Sequence, residues 1–87
     1  MAYRLVHTEA ALRDLQALPR EVFRRVDARI LALADNPRPH GAERIRGTRG
    51  ALRLRVGDYR ILYSVDDAQQ VVTIGRIGHR RDVYRGF

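Results

Sequence analysis

The chain has 87 residues, no cysteine, and a formal net charge of +7 from 17 basic and 10 acidic side chains. A chain this short is expected to form one small domain, 1–87, with a modest core, and the lack of cysteine excludes disulfides and thiolate metal sites. No apolar run is long enough to span a bilayer. The apolar start turns polar at His7-Thr8-Glu9, too early for a signal peptide, so a cytoplasmic protein is expected.

The first element in chain order is a short apolar strand, Tyr3 to Val6. Thr8 then reads as a helix N-cap, with Glu9 in the first turn where the helix dipole favours an anion. Ala11, Leu12, Leu15 and Leu18 recur at helical spacing. Pro19 suits the start of a second helix, in which Val22, Phe23, Val26, Ile30 and Leu33 form an apolar stripe. Asn36-Pro37 ends that helix, because proline disfavours helical geometry in the residue before it. The arginines at 24, 25 and 29 fall mostly off the stripe and read as helix surface. The turn at Pro19 lacks the signals of a DNA-reading helix-turn-helix.

Residues 38–50 contain Pro39, Gly41 and Gly47 and read as a loop. Three strands are expected after it. Leu52 to Val56 alternates apolar and basic residues, and Gly57-Asp58 is a tight-turn signal. Tyr59 to Val65 is β-rich, with Tyr59, Ile61, Tyr63 and Val65 on one face and Arg60, Leu62 and Ser64 on the other. Asp66-Asp67-Ala68-Gln69 marks a second turn. Val71 to Ile77 is nearly continuous in apolar residues, as in a strand buried on both faces, and it hides which parity meets the helices. A last helical turn is expected within 79–87. The order β-α-α-β-β-β(-α) argues α+β: a small antiparallel sheet with a helical hairpin on one face. The other face is then free and carries arginines.

All the basic residues other than histidine are arginine. Preference for arginine over lysine is a genomic habit, but the positive excess attracts polyanions. Arg53 and Arg55 lie two apart and point the same way on one strand. The Gly57-Asp58 turn brings Arg60 near Arg55. Arg80 and Arg81 follow the third strand, with Tyr84 shortly after. In phosphodiester cleavage, preorganised guanidinium groups stabilise the extra charge of the transition state. A tyrosine or histidine can move the protons. His7, His40 and His79 lack metal-ligand spacing, and no glycine-rich phosphate loop is present.

Gly57-Asp58-Tyr59-Arg60-Ile61-Leu62-Tyr63, Val71-Val72-Thr73-Ile74 and Gly78-His79-Arg80-Arg81-Asp82-Val83-Tyr84-Arg85 together resemble the RelE branch of the RelE/ParE toxin superfamily. Asn36-Pro37-Arg38-Pro39 and Arg46-Gly47 fit as well, so the resemblance covers essentially the whole chain. It implies a type II toxin neutralised by a cognate antitoxin, free as a monomer or held in an antitoxin-bridged hetero-oligomer. It further implies a ribosome-dependent endoribonuclease that cuts mRNA in the A site. The RNA 2′-hydroxyl is the nucleophile, and no metal or other cofactor takes part.

By the same resemblance, Arg60 and Arg80 hold the scissile phosphate, Arg53 and Arg55 contact the RNA backbone, and Tyr84 positions the substrate. Arg81 is a further candidate RNA contact. Many relatives carry lysine where this chain has Arg53, and arginine cannot serve as a proton acceptor at neutral pH. The base is therefore open between His79, the ribosome and the RNA itself. Two other readings share the fold: a ParE-like DNA gyrase inhibitor without nuclease activity, and an inactive antitoxin-binding module.

Overall fold

The computed structural model describes residues 2–80 and 82–84. Strand β1, Arg4–His7, leads into α1, Glu9–Gln16, and α2, Arg20–Ala32. After the loop come β2, Glu43–Arg44; β3, Leu52–Val56; β4, Tyr59–Asp66; and β5, Val71–His79. A 3₁₀ turn at Asp82–Tyr84 follows. The five strands form one open sheet in the order β1-β5-β4-β3-β2. The α+β class and the element order match the sequence expectation, with two additions.

The first addition is that β1 pairs with β5 in parallel, so the sheet is mixed. Strands β3, β4 and β5 form the expected antiparallel meander. Hairpin turns announce antiparallel pairs locally, whereas β1 reaches the sheet through a helical hairpin, whose length leaves its direction free. The second addition is β2, which pairs Glu43 with Arg53 and Arg44 with Leu52 inside the expected loop. Two exposed charged residues carry no alternation signal, so only the edge of β3 reveals them.

The helical hairpin packs Ala11, Leu15, Val26, Ile30 and Leu33 against one sheet face. That face supplies Leu54, Ile61, Tyr63, Val72, Ile74 and Ile77. The Tyr63 hydroxyl donates to the Pro37 carbonyl at 2.8 Å, tying the end of the helical unit to β4. Burial pushes this phenol up to about 12. Leu12, Phe23 and Leu31 are exposed, so the apolar helix surface is wider than the face the sheet covers.

The parity of β5 changes partway. Leu62 pairs with Arg76 but Tyr63 pairs with Ile74, which leaves Gly75 as an extra residue. Val72, Ile74 and Ile77 therefore all face the helices despite their uneven spacing. Thr8 holds the bulge. Its Oγ1 donates to the Gly75 carbonyl at 2.8 Å and accepts from Ala11 N at 3.1 Å as the N-cap of α1. Asp14 closes the edge of β5 beyond β1, accepting from Ile77 N and Arg76 Nε, each at 2.9 Å.

The sheet face away from the helices is not wholly free. Leu62 and Val83 are both buried outside the helix-side core. A Cβ at Gly78 would stand 3.5 Å from that of Val83. The 3₁₀ turn is thus seated on the arginine-bearing face, and it carries Tyr84 with it.

Candidate nucleic-acid interface

Strand alternation puts Arg53 and Arg55 on the face opposite the buried Leu52, Leu54 and Val56. The Gly57-Asp58 turn folds β4 back, with Gly57 at a φ of 61° that favours glycine. The resulting register places Arg55 directly opposite Arg60 and Arg53 opposite Leu62. Directly opposed like charges repel across a strand pair. An anion laid over them relieves that repulsion.

Val83 anchors the 3₁₀ turn on Gly78, and Tyr84 reaches back over β4 and β3. Its hydroxyl accepts from Arg60 Nη1 at 3.1 Å and from Arg53 Nη1 at 3.4 Å. Burial alone would raise the Tyr84 phenol, but the two guanidinium groups together outweigh it and leave its pKa below the ordinary 10.0. The Arg53 cation is reinforced in return, chiefly by the bond to Tyr84, with a smaller contribution from Glu43. Its Nε donates to Glu43 Oε1 at 3.4 Å. Arg53 thus sits between a carboxylate on β2 and a phenol on the C-terminal turn.

The other candidates lie elsewhere. Arg80 is exposed, and its backbone N–H donates to the Asp58 carbonyl at 2.9 Å, which fixes it beside the β3–β4 turn. His79 pairs with Tyr59 and meets its ring edge to face, with centroids 5.6 Å apart. Both share the parity of Ile61 and Ile77, so His79 belongs to the helix-side face and not to the face bearing Tyr84. Arg81 and Arg85 lie outside the described residues. Asp67, read from sequence as a turn former, accepts from Tyr3 at 2.7 Å and from both terminal nitrogens of Arg38.

Glu43 was not among the sequence candidates. It stands in an apparent loop, ten residues before Arg53, and only the β2–β3 pairing brings the two together. A cavity of about 430 Å³ lies at the far end of β3 and β4 from the Arg55–Arg60 pair. It is lined by Arg44, Arg49, Leu52 and Ser64 among others, and includes neither Arg53, Arg60 nor Tyr84. The arginine–tyrosine cluster is therefore an open face, suited to a strand rather than to an enclosed small molecule.

A helical hairpin on one side of a mixed sheet, with a cationic face on the other, defines a small α+β protein. The family model described as the ParE toxin of type II toxin–antitoxin system, parDE, matches residues 5–84. The toxin RelG of Mycobacterium tuberculosis is 36% identical over 86 residues, covering 98% of this chain and 99% of that protein. The solved toxin–antitoxin complex RelBE2 from Mycobacterium tuberculosis contains a chain with 32% identity and a TM-score of 0.80, over 92% of this chain and 100% of that one. The archaeal RelE–RelB complex from Pyrococcus horikoshii gives 30% identity and a TM-score of 0.81, over 95% and 100%. The chain belongs to the RelE/ParE superfamily of type II toxins, on its RelE-like branch.

Proposed function

We propose that the protein is a ribosome-dependent endoribonuclease that cuts mRNA in the A site by attack of an RNA 2′-hydroxyl on the adjacent phosphate. The observation that carries this reading is the convergence of Arg53 and Arg60 on the Tyr84 hydroxyl. Two cations meeting at one oxygen mark a part of the face suited to the anionic backbone of an RNA strand. Arg60 and Arg80 hold the scissile phosphate, while Arg53 and Arg55 orient the backbone, with Arg81 a further RNA contact.

The 2′-oxygen forms a bond to phosphorus and the bond to the 5′-oxygen breaks, leaving a 2′,3′-cyclic phosphate and a 5′-hydroxyl. Guanidinium groups stabilise the charge that develops on the phosphoryl oxygens. Tyr84 donates the proton that the leaving oxygen needs, because Arg53 and Arg60 stabilise the phenolate left behind. This scheme needs no metal. His79, edge to face with Tyr59 on the other face, is a poorer proton carrier than Tyr84.

A cognate antitoxin completes the system. Leu12, Phe23 and Leu31 give it exposed apolar anchors on the helices, and the arginine face gives it a charged one. Ribosomes stalled with a known codon in the A site provide the test. Primer extension should reveal a new 5′ end inside that codon. Growth arrest without such an end overturns the reading.

The match to the ParE model favours a second reading, inhibition of DNA gyrase. The Arg53–Tyr84–Arg60 cluster argues for the nuclease, because a binding inhibitor does not require a polarised phenol. Inhibited supercoiling together with intact mRNA would establish the alternative.

A further inference from the structure

Strand β4 outruns its neighbour. The β3–β4 register stops at Leu52 opposite Tyr63, while β4 continues through Ser64 and Val65 to Asp66. The cavity of about 430 Å³ lies in the notch this leaves. Backbone groups alternate sides along an antiparallel strand. The two-residue turn at Gly57-Asp58 makes Val56 and Tyr59 a hydrogen-bonded pair. Tyr59, Ile61, Tyr63 and Val65 therefore turn their N–H and C=O groups toward β3. At Val65 the paired part of β3 has ended, and among the described residues no loop backbone takes its place.

Three arginines line the same notch. Arg38 is committed, since its terminal nitrogens donate to the two oxygens of Asp67 at 3.1 and 3.0 Å. Arg44 and Arg49 are exposed and have no hydrogen-bond or ion-pair partner among the described residues. Leu52 and Val65 add apolar surface.

We infer that the notch is a nucleotide subsite, which takes one unstacked nucleotide of the RNA strand at a position flanking the cut. The inference rests on the nuclease reading above. Each part of a nucleotide finds a partner. Arg44 and Arg49 meet the phosphate. Leu52 and Val65 cover the base, whose edge of donors and acceptors meets the Val65 N–H and C=O. Ser64 lines the notch and shares the parity of Arg60, so one wall belongs to the arginine face. From Arg60 to Ser64 is about 13 Å at strand spacing, far enough to lie beyond the phosphate being attacked. An acidic peptide would also meet the arginines. A peptide added to a sheet edge, however, needs a run of open residues. Here Tyr63 is paired with Leu52 and the strand ends at Asp66, so Val65 alone is open on this edge.

NMR titration of the isotope-labelled full chain with the four nucleoside monophosphates tests the site without a ribosome. The Val65 amide and the Nε signals of Arg44 and Arg49 should shift. Inorganic phosphate should leave the Val65 amide unmoved. Arg44→Ala/Arg49→Ala should weaken binding about tenfold or more, as expected for the loss of two charge-assisted contacts. Arg24→Ala/Arg29→Ala takes the same charge from α2 and should bind like the wild type. Both proteins should melt like the wild type, since all four side chains belong to exposed residues. On programmed ribosomes, messages varied one position at a time should be cut at rates that depend on the base at one flanking position. That dependence should disappear in Arg44→Ala/Arg49→Ala.

A Val65 amide that responds to no nucleotide, or equally to inorganic phosphate, overturns the inference. So does an equal loss of affinity in the α2 variant, which would reduce the binding to net charge. A response to a glutamate-rich peptide with none to nucleotides overturns it as well and assigns the notch to a protein partner. A wild type that cuts no ribosome-bound message overturns the nuclease reading, and the titration judges the notch independently of that result.

Discussion

Arg60 donates to the hydroxyl of Tyr84 at 3.1 Å across 24 positions of sequence, and that bond joins the sheet to the C-terminal turn. Arg60 comes from β4, whose position follows from the Gly57-Asp58 hairpin. Tyr84 comes from a three-residue turn seated through Val83 on Gly78. The proposed chemistry depends on the two remaining together.

Replacing Arg60 by alanine removes one donor from the phosphate position. Cleavage on ribosomes should fall about 100- to 1,000-fold, by analogy with loss of one oxyanion donor. Arg60→Lys should recover only part of this, since an ammonium lacks the planar fork. Both proteins should fold normally, as circular dichroism will check. Near-wild-type cleavage by the alanine variant contradicts the role given to Arg60.

Tyr84→Phe keeps the ring and removes the proton. As a donor, Tyr84 works only while protonated, so activity should fall as pH rises through its value, which lies below the ordinary 10.0. The phenylalanine variant should be slower and should lose this alkaline limb. A pH–rate profile measured on both proteins decides the point. An alkaline limb that survives in Tyr84→Phe assigns it to another group.

Gly78 tests the seating of the turn. An added Cβ would meet Val83 at 3.5 Å, an ordinary contact, so Gly78→Ala should be tolerated. The further methyls of valine have no such room and must displace Val83, and Tyr84 with it. Gly78→Val should therefore lose activity well beyond any loss of thermal stability. Equal activity in the two variants would mean that the turn need not stay in place.

Two hydrogen-bonded fixtures away from the arginine cluster should affect stability and leave the chemistry alone. Thr8→Ala removes both the α1 cap and the donor to Gly75 O, and should cost about 1–2 kcal/mol in chemical denaturation. Tyr63→Phe leaves the Pro37 carbonyl without its donor, costing about 1 kcal/mol. The raised Tyr63 phenol adds a pH signature. Its folded value is about 12 against 10.0 for an unperturbed tyrosine. Its contribution is thus complete below pH 10.0 and lost as pH rises through about 12. Alkaline titration of the phenylalanine variant should lack that component.

Much of this arrangement is legible in the sequence itself. The alternation at 52–56 and the Gly57-Asp58 signal foretold that Arg53, Arg55 and Arg60 share a face, because the period of a strand is strict. Thr8 was readable as a cap because capping is local. The rest depends on long-range placement. The Gly75 bulge reverses the parity of β5, so no single period runs through Val71–His79. It puts His79 with Tyr59 on the helix side, apart from Arg60 and Tyr84. Glu43 escaped notice because its surroundings look like loop, and its partner lies across a strand pair. The seating of Val83 on Gly78 has no local signature at all.

The most direct test of the central claim is the chemistry of the cut ends. Ribosome-bound message with a defined A-site codon should be incubated with the protein and its fragments analysed by mass spectrometry. The account predicts one cut within the A-site codon, a 2′,3′-cyclic phosphate on the upstream fragment and a 5′-hydroxyl on the downstream one. Intact message, or a cut that leaves a 5′-phosphate, would contradict it.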